Sequence, residues 1–351
     1  MRTEGNPIRV GMIRCDVHAC WYGLLFAPAD EDLTLRHFPQ CQYYFYYRHQ
    51  LKFGMVPGFK LTKVYDPFPV HDGITRDEGD TRSNAEVLSE IFLDKPEVCE
   101  SLDELSEGVD LVFIADCLEN GRDHLELATP GLEKGLPTFV DKPFAHGLAD
   151  VRAMIELAKR NDTPILSTSL LRMNPKGDEY RSRFAEIDPV GMGVVKGVGF
   201  TGLNATIHGL SLAQHVFGGG VDWVQSMGVL PLEFVRLHQP RESPDLPHGV
   251  DVCVISSYLQ GPNCGYRCEA YSKVGSIHSE WINDYNFPLG GIAVLEKLRK
   301  MVETREPQMP YESMLELFEI VEAARISQEQ GSQPVHLRDV RAMRSEDLPE
   351  A

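Results

Sequence analysis

The sequence is poor in positive charge. Its 351 residues carry 34 Lys and Arg against 52 Asp and Glu, a formal balance of 34 − 52 = −18 with histidine neutral. Nucleic-acid phosphates are held by clustered Lys and Arg, so a chain this acidic is a poor polyanion binder. No CxxC pair occurs among the eight cysteines, which lie at 15, 20, 41, 99, 117, 253, 264 and 268. Scattered thiols in a chain of this length make no disulfide framework, and reduced cysteine is the expectation. Cys264 and Cys268 read either as half of a metal site or as two ordinary thiols near a turn. A zinc motif needs a second pair, and no metal is assigned. No apolar run approaches the roughly 18 residues that a membrane span needs, and the opening MRTEGNPIRV is too polar for a signal peptide. The expected setting is the cytoplasm, with neither membrane nor nucleic acid as a partner. Repeats and low-complexity tracts are missing too.

What is present is ordinary globular material, 42% hydrophobic and 25% charged, in a chain long enough to favour two domains over one core. The first part alternates strand and helix patterns. Residues 8–13, 61–65, 111–115, 138–141 and 164–168 read as short apolar strands. Between them, Val87, Leu88, Ile91 and Phe92 share a helical face in 83–93, and Val151, Met154, Ile155 and Ala158 share another in 148–159. Ser101 and Glu104 have capping-box spacing before a short helix that stops near Gly108. Near-continuous apolar strands separated by amphipathic helices predict a Rossmann-type doubly wound parallel sheet, an α/β domain over residues 1–170. From 171 to 351 the pattern changes. Stretches 192–202 and 250–259 read as strands of a largely antiparallel open sheet, with fewer helices, at 203–217 and 312–328, giving an α+β domain.

Between Phe38 and Phe59 stand eight aromatics (Phe38, Tyr43, Tyr44, Phe45, Tyr46, Tyr47, Phe53 and Phe59), whereas the overall 9% would put about two there. Residues 27–60 thus read as an insertion in the first βα unit. It is either a buried strand or small subdomain core, or a lid or subunit contact.

The run VDLVFIADCLENGRDHLELATPGLEKGLPTFVDKPFA over 109–145 resembles the glucose–fructose oxidoreductase/inositol dehydrogenase family (Gfo/Idh/MocA) of NAD(P)-dependent sugar dehydrogenases. Further stretches are similar in the same order: RMNP at 172–175, the histidine-bearing 203–217, and 311–337 near the end. Nearly the whole chain is covered, with 27–60 unmatched. The resemblance implies hydride transfer between a carbohydrate carbon and a nicotinamide, a small carbohydrate-like substrate, and a homo-oligomer, dimer or tetramer. By matching position it implies Lys142 and His208 around the reacting hydroxyl, with Asp141 beside the lysine and His124 near cofactor or substrate. A lysine lowered by burial, or a histidine, can accept the hydroxyl proton near neutral pH. Each has a structural alternative: a solvated lysine before proline, a satisfied core histidine at 208, a first-turn structural residue at 124.

The departures concern the cofactor, NAD or NADP. A G-x-G-x-x-G turn should follow the first strand, where glycines let the pyrophosphate approach. Its six positions here are Arg14, Cys15, Asp16, Val17, His18 and Ala19. Asp16 places a carboxylate where a helix N-terminus would receive phosphate, or else it caps that helix itself. Arg14 would offset it by pairing with Asp16 or with a displaced phosphate. Asp66 stands where an acid would hold the adenosine ribose, or forms a turn before Pro67. Asp116 follows the strand at 111–115 and completes the cofactor-side set of Arg14, Cys15, Asp16, His18, Asp66 and Lys142. On the substrate side stand Arg172 and the helix face Asn204, His208, Ser211 and His215, spaced i, i+4, i+7 and i+11. Two functions follow: an NAD(P)-linked sugar or polyol oxidoreductase, or the same fold without a dissociable nicotinamide. The second would be a carbohydrate lyase, hydratase or epimerase, either without a metal or with one held by His208 and His215 together with His18, Asp16 or His124, or a ligand-binding regulatory protein.

Overall fold

The computed structural model describes residues 5–51, 54–70, 73–115, 119–198, 202–229, 232–240, 248–257, 265–283, 285–345 and 348. The chain forms two compact units. The first comprises Met1–Ala145, Ala153–Ser167 and Gly291–Met309; the second comprises His146–Arg152, Thr168–Gly290 and Pro310–Ala351.

The first unit is built on six strands: β1 (Ile8–Ile13), β2 (Phe59–Tyr65), β3 (Glu97–Val98), β4 (Leu111–Ile114), β5 (Thr138–Val140) and β6 (Ile165–Ser167). Their order across the sheet is β3-β2-β1-β4-β5-β6, and each pairing is parallel. Val10, Met12 and Ile13 of β1 and all of β4 are buried, as a parallel sheet covered on both faces requires. Helices α1 (Val17–Gly23), α2 (Glu31–His37), α3 (Gln42–Leu51), α4 (Asn84–Ile91), α5 (Leu102–Leu105) and α6 (His124–Glu133) connect them. Two more, α7 (Leu148–Arg160) and α10 (Phe287–Thr304), run from a segment of the second unit into the first.

The complete capping box lies at α4, where the Ser83 hydroxyl accepts from the Glu86 amide and the Glu86 carboxylate accepts from the Ser83 amide. The Ser101 pair is only half a box. Ser101 caps the Glu104 amide at 3.2 Å, but the Glu104 carboxylate takes the Glu100 amide instead. The aromatic insertion is helical, not a strand: α2 and α3 fill it. Phe38, Tyr44, Phe45 and Phe59 are buried there, so a small packed core accounts for half of its aromatics, while Tyr46 is 55% exposed. Residue 53 lies outside the described residues.

In the second unit the strands are β7 (Met192–Val198), β8 (Trp223–Val229), β9 (Leu232–Gln239), β10 (Val250–Ser257), β11 (Gly265–Tyr271), β12 (Ser276–His278), β13 (Ile282–Asn283) and β14 (Val335–His336). They pair in the order β12-β11-β7-β10-β9-β8-β14, with β13 also on β11. Only β7 and β10 run parallel among these described pairings. The helices are α8 (Pro175–Ser182), α9 (Gly202–Phe217), α11 (Tyr311–Glu329) and α12 (Leu337–Ala342). Over 171–351 the described helices are fewer than over 1–170, as expected, and α8, α10 and α12 add to the two read from sequence. Phe287, Pro288 and the glycine pair Gly290–Gly291 at the start of α10 mask its periodicity. Strand β7 ends at Val198, and Gly202 is already helical, so the strand read to 202 is shorter. Helix α9 packs on β7 and β10, and α11 packs on β8. No described helix is long and apolar enough to cross a membrane.

Candidate functional site

The carboxyl edge of the parallel sheet is where open α/β sheets bind ligands. Two turns there hold residues read from the sequence as site candidates, one after β1 and one after β5. The first holds Arg14, Cys15 and Asp16. Arg14 has φ +71°, the left-handed conformation that a glycine adopts freely and that costs another residue roughly 1 kcal/mol. Its side chain is 0% exposed, ion-paired to Asp66 at 3.6 Å and hydrogen-bonded to Asp123, with its guanidinium 4.4 Å from the Phe68 ring centre. Those contacts offset the strain. Asp66 is equally engaged: it accepts the Cys15 amide at 2.9 Å and the Phe68 amide at 3.0 Å. Burial, followed by the Asp66 charge, pushes the Cys15 thiol well above its ordinary range, which favours the neutral thiol.

Asp16 is the N-cap of α1 and accepts the amides of His18 at 2.7 Å and Ala19 at 3.3 Å. Those amides are the donors a pyrophosphate would otherwise use at a helix N-terminus. The turn after β1 therefore fits a dinucleotide phosphate poorly: its helix amides are taken by Asp16, and its arginine is already ion-paired to Asp66 and Asp123.

The second turn is built differently. Asp141 and Lys142 follow β5, and Pro143 fixes the backbone beyond them. The Asp141 carboxylate is buried and held at both oxygens, by His18 Nδ1 at 2.5 Å on Oδ2 and by the Tyr22 hydroxyl at 3.3 Å on Oδ1. His18 and Tyr22 stand four apart on α1, which puts them on one face. Tyr22 packs its ring against Phe113 and Phe139, with centroids 5.0 and 5.8 Å away, so an apolar cluster fixes the hydroxyl. Burial, and then the Asp141 charge, holds the Tyr22 phenol well above its usual range, so it stays a donor. Lys142 is 8% exposed, and among the described residues no hydrogen bond or ion pair holds its ammonium. Gly121, at φ +78°, lies against the same turn; a Cβ there would come within 3.0 Å of the Pro143 carbonyl oxygen. His124, wholly buried at the start of α6, contacts the Phe144 carbonyl at 3.1 Å through Nδ1. Asp116 lies outside the described residues.

In the second unit, His208 is buried on α9. Its Nδ1 lies 2.7 Å from the Ser169 hydroxyl and its ring centre 5.8 Å from that of Tyr266. The helix face read from sequence is divided. Ser211 is buried and its hydroxyl has no hydrogen-bond partner among the described residues, while His215 meets Asp178 of α8 at 2.9 Å. Arg172 donates to the Ser211 carbonyl at 3.3 Å and to Gln214 at 2.6 Å, and burial lowers its guanidinium to about 10. These contacts tie Arg172 and His215 to the fold. Asn204 lies in α9, and its side chain is outside the described ones. Among the described residues no group of three His, Cys, Asp or Glu side chains is placed to hold a metal.

Sequence reasoning missed Tyr22. Its signal was present in the i, i+4 spacing from His18, but Tyr22 also reads as an ordinary core aromatic.

Residues 80–168 match the family model described as "Oxidoreductase family, NAD-binding Rossmann fold" (Gfo/Idh/MocA). No curated protein matches the chain. Among solved structures the chain is similar to a probable dehydrogenase from Thermotoga maritima, with TM-score 0.69 and 17% identity over 95% of this chain and 100% of that one. A myo-inositol dehydrogenase from Corynebacterium glutamicum gives TM-score 0.70 and 16% identity over 94% and 99%. An oxidoreductase from Agrobacterium radiobacter, in complex with NAD+, L-tartaric acid and magnesium, gives 0.65 and 14% over 95% and 100%. Identities this low establish the shared fold. Residues 80–168, which include Asp141 and Lys142, thus match the Gfo/Idh/MocA oxidoreductase family, and the chain as a whole has the fold of solved dehydrogenases.

Proposed function

We infer that the protein is an NAD(P)-linked oxidoreductase acting on a hydroxyl of a small sugar, polyol or related carbohydrate. The observation that carries this reading is Lys142: buried, without a charge partner among the described residues, and set at the end of β5 inside the stretch matching the oxidoreductase family. A lysine at a sheet's carboxyl edge with no partner among the described residues is placed to orient a substrate hydroxyl. In the second unit, His208 is the residue we assign to the substrate, since its ring is oriented by Ser169. His124 supports the turn of Lys142 through the Phe144 carbonyl. We assign the protein to the cytoplasm as a homodimer or homotetramer, which sedimentation of the purified chain tests.

The turn after β1 favours a second reading. Because Asp16 fills the helix amides and Arg14 is paired, the same edge suits an acid–base enzyme on a carbohydrate without a dissociable dinucleotide. Titration calorimetry with NAD and NADP at millimolar concentration separates the two. Binding of either is the expected result. Binding of neither overturns the oxidoreductase reading and leaves the acid–base one.

A further inference from the structure

We propose that His18 and Asp141 form an acid–base dyad in which His18 is a catalytic residue and Asp141 positions it. The two lie 123 positions apart in sequence and meet at 2.5 Å, at the carboxyl edge of the parallel sheet. A carboxylate only accepts, so Nδ1 of His18 donates the proton of this bond, and in the neutral ring Nε2 keeps its lone pair. The bond fixes both tautomer and ring orientation, the role a carboxylate plays towards a catalytic histidine. Two further supports make the carboxylate a rigid anchor: the Tyr22 hydroxyl on its other oxygen, and burial to 1% exposure. The histidine side chain itself is 26% exposed, and Nε2 has no partner among the described residues. One nitrogen is thus anchored in the protein and the other is open to a ligand.

The step is a proton transfer. A substrate O–H bond breaks, its electron pair stays on the oxygen, and a bond forms between the proton and Nε2. The buried Asp141 carboxylate balances the imidazolium charge, and the proton returns by the reverse path. This role is independent of whether hydride transfer or acid–base chemistry follows, because both move a proton on or off a carbohydrate hydroxyl.

Two measurements on the full chain test it. In turnover of myo-inositol with NAD+, H18N and D141N should each lower kcat by ~10²-fold or more with KM within about threefold of the parent, the range expected for a lost general base. Added imidazole should restore part of the H18A rate and none of the K142A rate. An H18N enzyme within about threefold of parental kcat overturns the dyad, since general acid–base assistance is worth at least ~10²-fold. A parent without turnover bears on the oxidoreductase reading instead, and the dyad is then decided by acylation with diethyl pyrocarbonate mapped by mass spectrometry. His18 should react faster than the buried His124 and His208, and a polyol panel of inositol, xylitol and glucose should slow it. A His18 that reacts no faster than those two, or that no polyol protects, overturns the proposal.

Discussion

The two turns at the carboxyl edge of the parallel sheet have opposite economies of charge. After β1, Arg14 pairs with Asp66, and Asp16 and Asp66 take up local amides, leaving little for a ligand. After β5, Asp141 is anchored while Lys142, its neighbour, has no partner among the described residues, and His18 leaves a nitrogen open. Both turns are polar and buried. Hydrogen bonds closed within the protein make a rigid wall, whereas a polar group left open at a sheet edge is available to a ligand. The content of charged residues alone therefore does not distinguish a scaffold from a reaction centre.

The sharpest way to break the comparison is to remove the open side. K142A should lower turnover by at least ~10²-fold with the fold unchanged, as expected of a lost acid–base or orienting group, and a kcat measurement checks it. Retained turnover would place Lys142 with the closed groups. Removing the closed side should act on stability instead. R14L leaves Asp66 and Asp123 without their buried counter-charge and should cost about 3 kcal/mol or more in urea unfolding, the magnitude for a buried pair that loses one partner. A smaller change would mean that Asp66 and Asp123 are held by their other partners without the Arg14 charge.

Asp16 lies between these cases. D16A should destabilise by about 1 kcal/mol through loss of the α1 cap. D16G, which exposes the same amides, should instead tighten NAD or NADP binding in calorimetry. Unchanged affinity with abolished turnover would make Asp16 a working residue. The smallest effect is expected in the second unit. Burial, and then the Arg172 charge, lowers His215 below its ordinary 6.5, so its neutral form is favoured in the folded state. Its contribution to stability is present above pH 6.5 and is lost as pH falls below that value. H215Q should flatten the fall in urea midpoint between neutral and mildly acidic pH by a few tenths of a kcal/mol, the scale of a partly exposed group. An unchanged slope would assign it to other groups.

Much of the fold was legible from local patterns. Apolar runs at 8–13, 111–115 and 138–141 announced the central strands because a parallel sheet leaves no polar face to alternate. The motif Asp141-Lys142-Pro143 pointed to a candidate site through the family resemblance, and its place directly after a buried strand puts it at the sheet's edge. Helix α10 was lost because Gly290 and Gly291 interrupt its first turn, and half the Ser101 box was lost because Glu104 had a nearer amide at residue 100. In the second unit, helical spacing put His208 and His215 on one face, yet each took its partner from a different element, Ser169 or α8.

By itself, the sequence determined the alternation of strands and helices, the loss of both leading glycines after β1, and the charge placed in that turn. All of these depend on residues within a few positions of one another. Only the tertiary structure decided where those charges go. The strand order β3-β2-β1-β4-β5-β6 sets β4 alone between β1 and β5, so their following turns share one edge and His18 meets Asp141. It also brings Asp66 and Asp123 onto Arg14. Hydrogen bonding and desolvation act over a few ångströms of space, whatever the separation along the chain, so periodicity could supply the parts of this edge and only packing could join them.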